Sequence, residues 1–202
     1  NYFLQELGCG ACILTDLDLT GNPFLQELNC QDNLLTEINL TQNIYLEQLN
    51  LQSNQLTGID LSQNIALYDV DLSSNYLSEI DLSALNLLYR LQVDNNYLQS
   101  LDISQNTLLF GQNNQIFDAD YNLIYCINVW EGFSASGYNY DIDNFTEFGT
   151  DCSDSSVTNP CDTIYVDNFV YVTDTLYIDG VITDTLYVDN FIIDTITIEV
   201  PI

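Results

Sequence analysis

The chain has 202 residues, of which 47% are hydrophobic, so it is long enough and apolar enough to bury a sizeable core. It carries 30 acidic residues against one basic residue, Arg90, which gives a formal net charge of −29. This balance excludes nucleic acid and anionic membrane as partners, because both require Lys or Arg to neutralise phosphates.

Two absences in the composition narrow the function further. The chain has no His, so the common nucleophilic triads and zinc sites cannot form, and we predict that the protein is not an enzyme. No run of about 18 apolar residues occurs, so no membrane insertion is predicted. An acidic chain built from repeats and containing six Cys is instead predicted to be secreted or held at the cell surface, where disulfides persist.

Five consecutive blocks of equal length follow one another from Leu4 without a gap. They occupy positions 4–24, 25–45, 46–66, 67–87 and 88–108. A leucine begins each block, and a second leucine stands ten positions later. One column holds asparagine in four blocks and cysteine in the first: Cys12, Asn33, Asn54, Asn75 and Asn96. Amide side chains at the corners of stacked turns can bond backbone groups that the turns leave unpaired, so we predict a structural role for this column.

The third block contains LEQLNLQSNQL at residues 46–56, which has the spacing Leu-x-x-Leu-x-Leu-x-x-Asn-x-Leu. On this pattern the chain, from residue 4 to about residue 122, closely resembles leucine-rich-repeat proteins. The resemblance implies a mainly β solenoid over residues 1–122. Because the Leu-x-x-Leu-x-Leu-x-x-Asn spacing occurs twice in a block, we predict short parallel strands on both sides of each turn, with little helix.

An acidic column is the first candidate site. Asp60, Asp81 and Asp102 fall on successive turns, and stacking would place their carboxylates about 4.8 Å apart. Each neighbouring pair would repel by about 0.9 kcal/mol in water. Calcium held between the turns would relieve this repulsion, because carboxylate oxygens suit a hard cation. The alternative, which we prefer, is a solvated acidic face screened by salt, and no cofactor other than calcium is predicted.

The first two blocks place two cysteines in one inward column. Cys9 and Cys30 lie one turn apart, which permits either a disulfide or two buried thiols that act as small hydrophobic side chains. We prefer the buried thiols. Six cysteines allow fifteen pairings, so the column by itself does not decide between the two states.

Residues 123–152 break the period and concentrate aromatic side chains, including the single Trp of the chain, Trp130. A repeat stack needs a cap over its last turn, and we assign residues 123–161 to this cap and a polar linker. The segment resembles the one that closes such arrays in secreted proteins of the Bacteroidota, with Cys-Ile-x-Val at residues 126–129 and Asp-Cys at residues 151–152. The resemblance implies a disulfide between Cys126 and Cys152.

The last segment, residues 162–202, alternates Thr, Tyr, Val and Ile between Asp, Asn and Gly, which is typical of short β-strands. Four of the predicted strands open with Asp-Thr-aliphatic triplets, which resemble the O-glycosylation signal of the Bacteroidota. The resemblance implies glycans on Thr163, Thr175, Thr185 and Thr195. The alternative is that Asp and Thr only form turns that start the strands.

Two non-enzymatic functions fit these observations. The first is an extracellular structural glycoprotein, a homopolymer whose copies assemble into a filament through exposed sheet edges and carry covalent glycans on the tail. The alternative is a cell-surface adhesin that holds a protein or glycan ligand on the outside of the coil.

Overall fold

The computed structural model describes residues 1–110, 116–136, 140–143 and 146–152. The array and the described part of the cap share one compact unit, Asn1–Cys152. The predicted β tail at 162–202, Cys161 and the four candidate glycosylation sites Thr163, Thr175, Thr185 and Thr195 lie outside the described residues.

One side of the array is a six-stranded parallel sheet. Its strands are Glu6–Gly8 (β1), Glu27–Asn29 (β2), Gln48–Asn50 (β3), Asp69–Asp71 (β4), Arg90–Gln92 (β5) and Ile116–Asp118 (β7). Successive blocks pair in register, as Leu28 with Leu49 and Leu49 with Val70. The middle residue of each strand points inward and its two neighbours point outward, because side chains alternate along a strand. The mainly β, parallel solenoid is confirmed.

The opposite side of each turn carries strands only near the end of the described array. There, Leu101–Asp102 (β6), Cys126–Asn128 (β8) and Glu147–Gly149 (β9) form a three-stranded parallel sheet. The earlier turns are linked on this side by isolated backbone bonds, such as Leu34 N–H to Leu14 C=O at 2.8 Å. A single backbone hydrogen bond between two neighbouring turns does not make a strand ladder. The predicted strands on this second side are therefore confined to the last turns. The described helical structure is one 3₁₀ turn, Thr107–Phe110.

The core is a stack of aliphatic columns closed by aromatic side chains. Leu46, Leu67 and Leu88, which begin successive blocks, have no exposed surface. Fully burying a leucine contributes about 1.5–3 kcal/mol, so repeated columns stabilise the whole stack. At the end of the array, Phe110 contacts the rings of Phe117, Trp130, Phe133, Tyr140 and Phe148. This cluster covers the last turn, as expected of a cap.

The predicted asparagine column is a buried hydrogen-bond ladder. The Oδ1 atom of Asn75 accepts a bond of 3.0 Å from the backbone N–H of Leu56 in the preceding turn. Its Nδ2 group donates to the carbonyls of Leu51, Leu72 and Ser73. Equivalent bonds involve Asn33, Asn54, Asn96 and Asn122. The structural role of the column is confirmed, and Asn122 extends the ladder into the cap.

A left-handed residue precedes each asparagine of the ladder. These residues are Asp32, Ser53, Ser74, Asn95 and Tyr121, with φ between 51° and 56°. A left-handed conformation costs a residue with a side chain roughly 1–2 kcal/mol. The cost is tolerated because the ladder asparagine ties the same corner to the neighbouring turn.

A second asparagine column runs along the other corner and is satisfied less completely. Asn43, Asn64 and Asn106 are fully buried, and each Nδ2 donates to two backbone carbonyls. The Oδ1 atoms of all three are buried without a hydrogen-bond partner. Leu85 occupies this column in the fourth block and is also fully buried. The column therefore accepts an apolar residue at one of its positions.

Two disulfides are present among the described cysteines. Cys9 and Cys30 are joined, with Cα atoms 4.7 Å apart, so the interpretation of these residues as buried thiols was wrong. In-register stacking brings the two residues within the Cα separation that a disulfide requires. Cys126 and Cys152 are also joined, with Cα atoms 5.6 Å apart, as the resemblance implied. Cys12 carries an exposed free thiol.

Candidate functional site

The outward side of the six-stranded sheet is the candidate functional site, and we call it the sheet face. It consists of the outward side chains of the strands together with Asp94 and Asp120, which lie two residues beyond the ends of β5 and β7. An open groove crosses it from β2 to β5, lined by Glu27, Leu28, Asn29, Gln48, Leu49, Asn50, Asp69, Asp71, Arg90 and Gln92. Apart from Leu28 and Leu49, which belong to the core, the lining residues are polar and point outward, so their chemistry is available to a ligand.

The middle of the sheet face holds an ion pair. Arg90 Nη1 lies 2.7 Å from Asp69 Oδ2, and the two side chains are 32% and 18% exposed. Burial raises the pKa of Asp69, and the Arg90 guanidinium opposes that shift. Arg90 also acts on the carboxylate of Asp71, and it is the single basic residue of the chain, so the carboxylates of the face outnumber the basic side chains.

Two stacked tyrosines flank the groove. The rings of Tyr68 and Tyr89 are 5.3 Å apart at 9° to each other. Burial raises the pKa of Tyr68, and the neighbouring Tyr89, Glu47, Glu27 and Asp69 raise it further. The tyrosines therefore lie within electrostatic reach of the acidic groove, where they add an aromatic surface to it.

The sheet face becomes more acidic toward the cap. One oxygen from each of Asp94, Asp118 and Asp120 lies within 4.8 Å of the others. The pKa of Asp118 is raised to about 7 by burial and by the carboxylates of Asp94, Asp120 and Asp141. Asp71, one turn earlier, also has a raised pKa, because burial and the Asp94 carboxylate outweigh its bonds with Ser73. We call Asp71, Asp94, Asp118, Asp120 and Asp141 the acidic stripe.

The sequence alone did not reveal the acidic stripe. Asp94 and Asp120 are separated by more than one block length, because residues 109–122, which follow the fifth block, do not keep the period. The available signal was the Asn column: aligning Asn96 with Asn122 places Asp94 in register with Asp120.

The predicted acidic column lies away from the sheet face. In each case an Asp Oδ1 accepts the N–H of the serine two residues later, which joins Asp60 to Ser62, Asp81 to Ser83 and Asp102 to Ser104. The hydrogen bonds with Ser62 and Ser83 lower the pKa of Asp60 and Asp81. Among the described residues, the carboxylates that gather closely enough to share a metal ion are Asp94, Asp118 and Asp120 instead. Calcium at the Asp60, Asp81 and Asp102 column stays a prediction.

Replacing Asp118 with Asn should stabilise the protein at pH 8 by about 1–2 kcal/mol, a value discounted for the partial exposure of the group. The folded-state pKa of Asp118, about 7, lies above the ordinary value of 3.8. Between pH 3.8 and pH 7 the folded protein therefore keeps a proton on Asp118 that the unfolded chain releases. The stability that this proton contributes to the folded state is lost as the pH rises through 7. At pH 4 the variant and the wild type should have nearly equal free energies of unfolding. Urea unfolding at both pH values measures the difference.

Asp60→Asn is the control for this pH dependence. The pKa of Asp60 is lowered, so the stability that its charge contributes is present above the ordinary pKa and is lost only as the pH falls. This variant should not gain stability at pH 8. A gain of the same size in both variants would show that reduced net charge, rather than the environment of Asp118, is responsible.

A separate exposed aromatic strip lies at a corner of the first turns. The rings of Phe3 and Phe24 stack at 6.1 Å, and those of Phe24 and Tyr45 at 5.8 Å. These side chains are 76%, 36% and 50% exposed in chain order. The strip is therefore a second surface that could contact another molecule, but it lacks the charged groups of the sheet face.

Comparisons with known proteins agree with this architecture. Residues 45–64 match the family model described as Leucine Rich Repeat. The functional domain of InlJ from Listeria monocytogenes, described as including a cysteine ladder, is 30% identical with a TM-score of 0.62. The alignment covers 70% of this chain and 30% of the Listeria chain.

A leucine-rich-repeat protein of Leptospira interrogans is 21% identical over 57% of this chain and 36% of its own, with a TM-score of 0.47. No curated protein sequence matches significantly. In the described residues, no helix is long and apolar enough to cross a membrane. From its repeat pattern, its in-register parallel strands and its similarity to the Listeria domain, the described array has the fold of a leucine-rich-repeat solenoid.

Proposed function

We propose that the protein is a non-enzymatic, extracellular binding protein that holds a protein partner on the sheet face. The observation that carries this proposal is the groove across β2 to β5, where outward polar side chains stand on a rigid ladder of parallel strands. A site built on regular strands loses little conformational entropy when it binds, which favours affinity.

The location outside the cell is supported by the disulfides. Cys9–Cys30 and Cys126–Cys152 both join residues brought together by the fold, and such bonds persist in oxidising environments. The −29 net charge adds long-range repulsion of acidic molecules, which restricts the partners that approach the face.

Peptides selected from a random display library against the full chain should bind at the sheet face. The test variant is Gln48→Trp, because Gln48 lies within the groove and its side chain bonds only at the surface, to Glu27 at 2.9 Å. We expect this bulky side chain to weaken the selected peptides at least tenfold, which corresponds to about 1.4 kcal/mol. Calorimetric titration of each peptide measures the affinity.

Gln63→Trp is the matched control, since Gln63 is an exposed glutamine on a corner away from the groove. It should leave the affinities within about twofold, a change of roughly 0.4 kcal/mol. Peptides that lose affinity with Gln63→Trp, or with Tyr45→Ala in the aromatic strip, but not with Gln48→Trp would contradict the proposal.

Self-assembly into a filament is the second candidate function. It is supported by the exposed aromatic strip of Phe3, Phe24 and Tyr45, a surface that a second copy could cover. Light scattering on the purified wild type, recorded before each titration, separates assembled from single chains. We also propose that Thr163, Thr175, Thr185 and Thr195 carry O-glycans, which would limit pairing between the predicted strands of the tail.

A further inference from the structure

We infer that the partner segment held on the sheet face is basic, with several Lys or Arg side chains that pair with the acidic stripe. This inference rests on the proposed function, since it names the chemistry of the partner at the same face. The carboxylates of Asp71, Asp94 and Asp118 stand on three successive turns of the array. Each carboxylate lies within electrostatic reach of the next, because the Asp94 carboxylate raises the pKa of both Asp71 and Asp118.

Charge complementarity selects this kind of partner. The Arg90 guanidinium is paired with Asp69 and also acts on the Asp71 carboxylate, so one positive charge stands against the carboxylates of the stripe. All five stripe residues are Asp, and four of them are half-buried, which makes their mutual repulsion stronger than in water. Complementary charges at an interface supply specificity and fast association. A stripe of carboxylates is complemented by positively charged side chains.

The length of the stripe favours a protein segment over a single metal ion. Calcium binds oxygens at about 2.3–2.6 Å, so one ion would engage Asp94, Asp118 and Asp120 but not Asp71. A segment with several cations, laid across the turns, can pair with carboxylates along the whole stripe. It can also place a Lys or Arg against the stacked rings of Tyr68 and Tyr89 at the other side of the groove.

The test uses a synthetic peptide of about ten residues that alternates Lys and Thr, and its counterpart with Gln in place of Lys. The face variant is Asp94→Asn with Asp118→Asn and Asp120→Asn. Asparagine already stands at the position of Asp118 in β2 and β3, as Asn29 and Asn50, so the substituted face should fold. Binding to the full chain is titrated at about 150 mM salt, where charges beyond about 8 Å are screened, with a chelator present.

The control variant removes the same number of charges away from the face. It carries Asp18→Asn, Asp60→Asn and Asp81→Asn, whose carboxylates each accept an N–H two residues later. Asn39 makes the same bond to Thr41 in the native chain, so this variant should also fold. Circular dichroism of both triple variants checks that they have the wild-type structure.

The face variant should bind the Lys peptide at least tenfold more weakly than wild type, and the control variant within about twofold. Equal weakening in the two variants would overturn the inference, because net charge alone would then explain binding. So would equal affinity for the Lys and Gln peptides. If library peptides still lose affinity with Gln48→Trp in either case, the proposed function stands and only the basic chemistry of the partner fails.

Discussion

Substituting Asn75 with Leu is expected to lower the free energy of unfolding by about 3 kcal/mol, because several backbone groups lose their partner at once. Asn75 is 3% exposed, and its side chain bonds the Leu56 N–H and the carbonyls of Leu51, Leu72 and Ser73. A leucine side chain cannot replace any of these bonds, and the freed groups would stay buried away from water. Urea unfolding monitored by circular dichroism measures the loss.

Asn64→Leu is the matched control, as it makes the same substitution at another buried asparagine. Asn64 donates two hydrogen bonds, but its Oδ1 has no partner. Leu85 already occupies the equivalent position one block later. We expect this variant to change stability by less than about 1 kcal/mol, since added apolar burial offsets the lost bonds. Equal losses at Asn64 and Asn75 would contradict the distinction between the two asparagine columns.

The second large effect is expected from the cap. Replacing both Cys126 and Cys152 with Ser should cost about 3.5 kcal/mol, from the loop entropy that the disulfide removes from the unfolded chain. The bond has a sequence separation of 26 and holds the region where β8 pairs with β9. A Cβ atom at Gly149 would lie 3.1 Å from Cys126 Sγ, so the strand packs directly against the disulfide. Thermal unfolding under non-reducing conditions measures the cost.

Cys12→Ser is the control for the loss of a thiol without the loss of a bridge. Cys12 is exposed and free, and its Sγ donates to the Gly10 carbonyl, which a serine hydroxyl can also do. This variant should unfold at the same temperature as the wild type. A double Ser variant as stable as the wild type, or free thiols at both cap cysteines in the unreduced protein, would refute the prediction.

The repeating part of the fold followed from the sequence. A fixed period stacks each residue on its equivalent in the next turn, so the inward leucines and the ladder asparagines could be assigned from the repeat alone. Asn54 and Asn75, for example, contact the turns that their columns predicted. Such contacts are local between neighbouring repeats, and the sequence pattern therefore determines them.

Only the tertiary structure decided the features that depend on distances within a column or on the break in the period. The column of Cys9 and Cys30 allowed either a bridge or two thiols, and the structure joins the two sulfur atoms. The outward Asp60 and Asp81 bond their own turns, which their column position did not reveal. Asp94 and Asp120 lie close together although more than one block length of sequence separates them. Where the period fails, a fixed spacing no longer gives the neighbours of each residue, and the acidic end of the sheet face lies there.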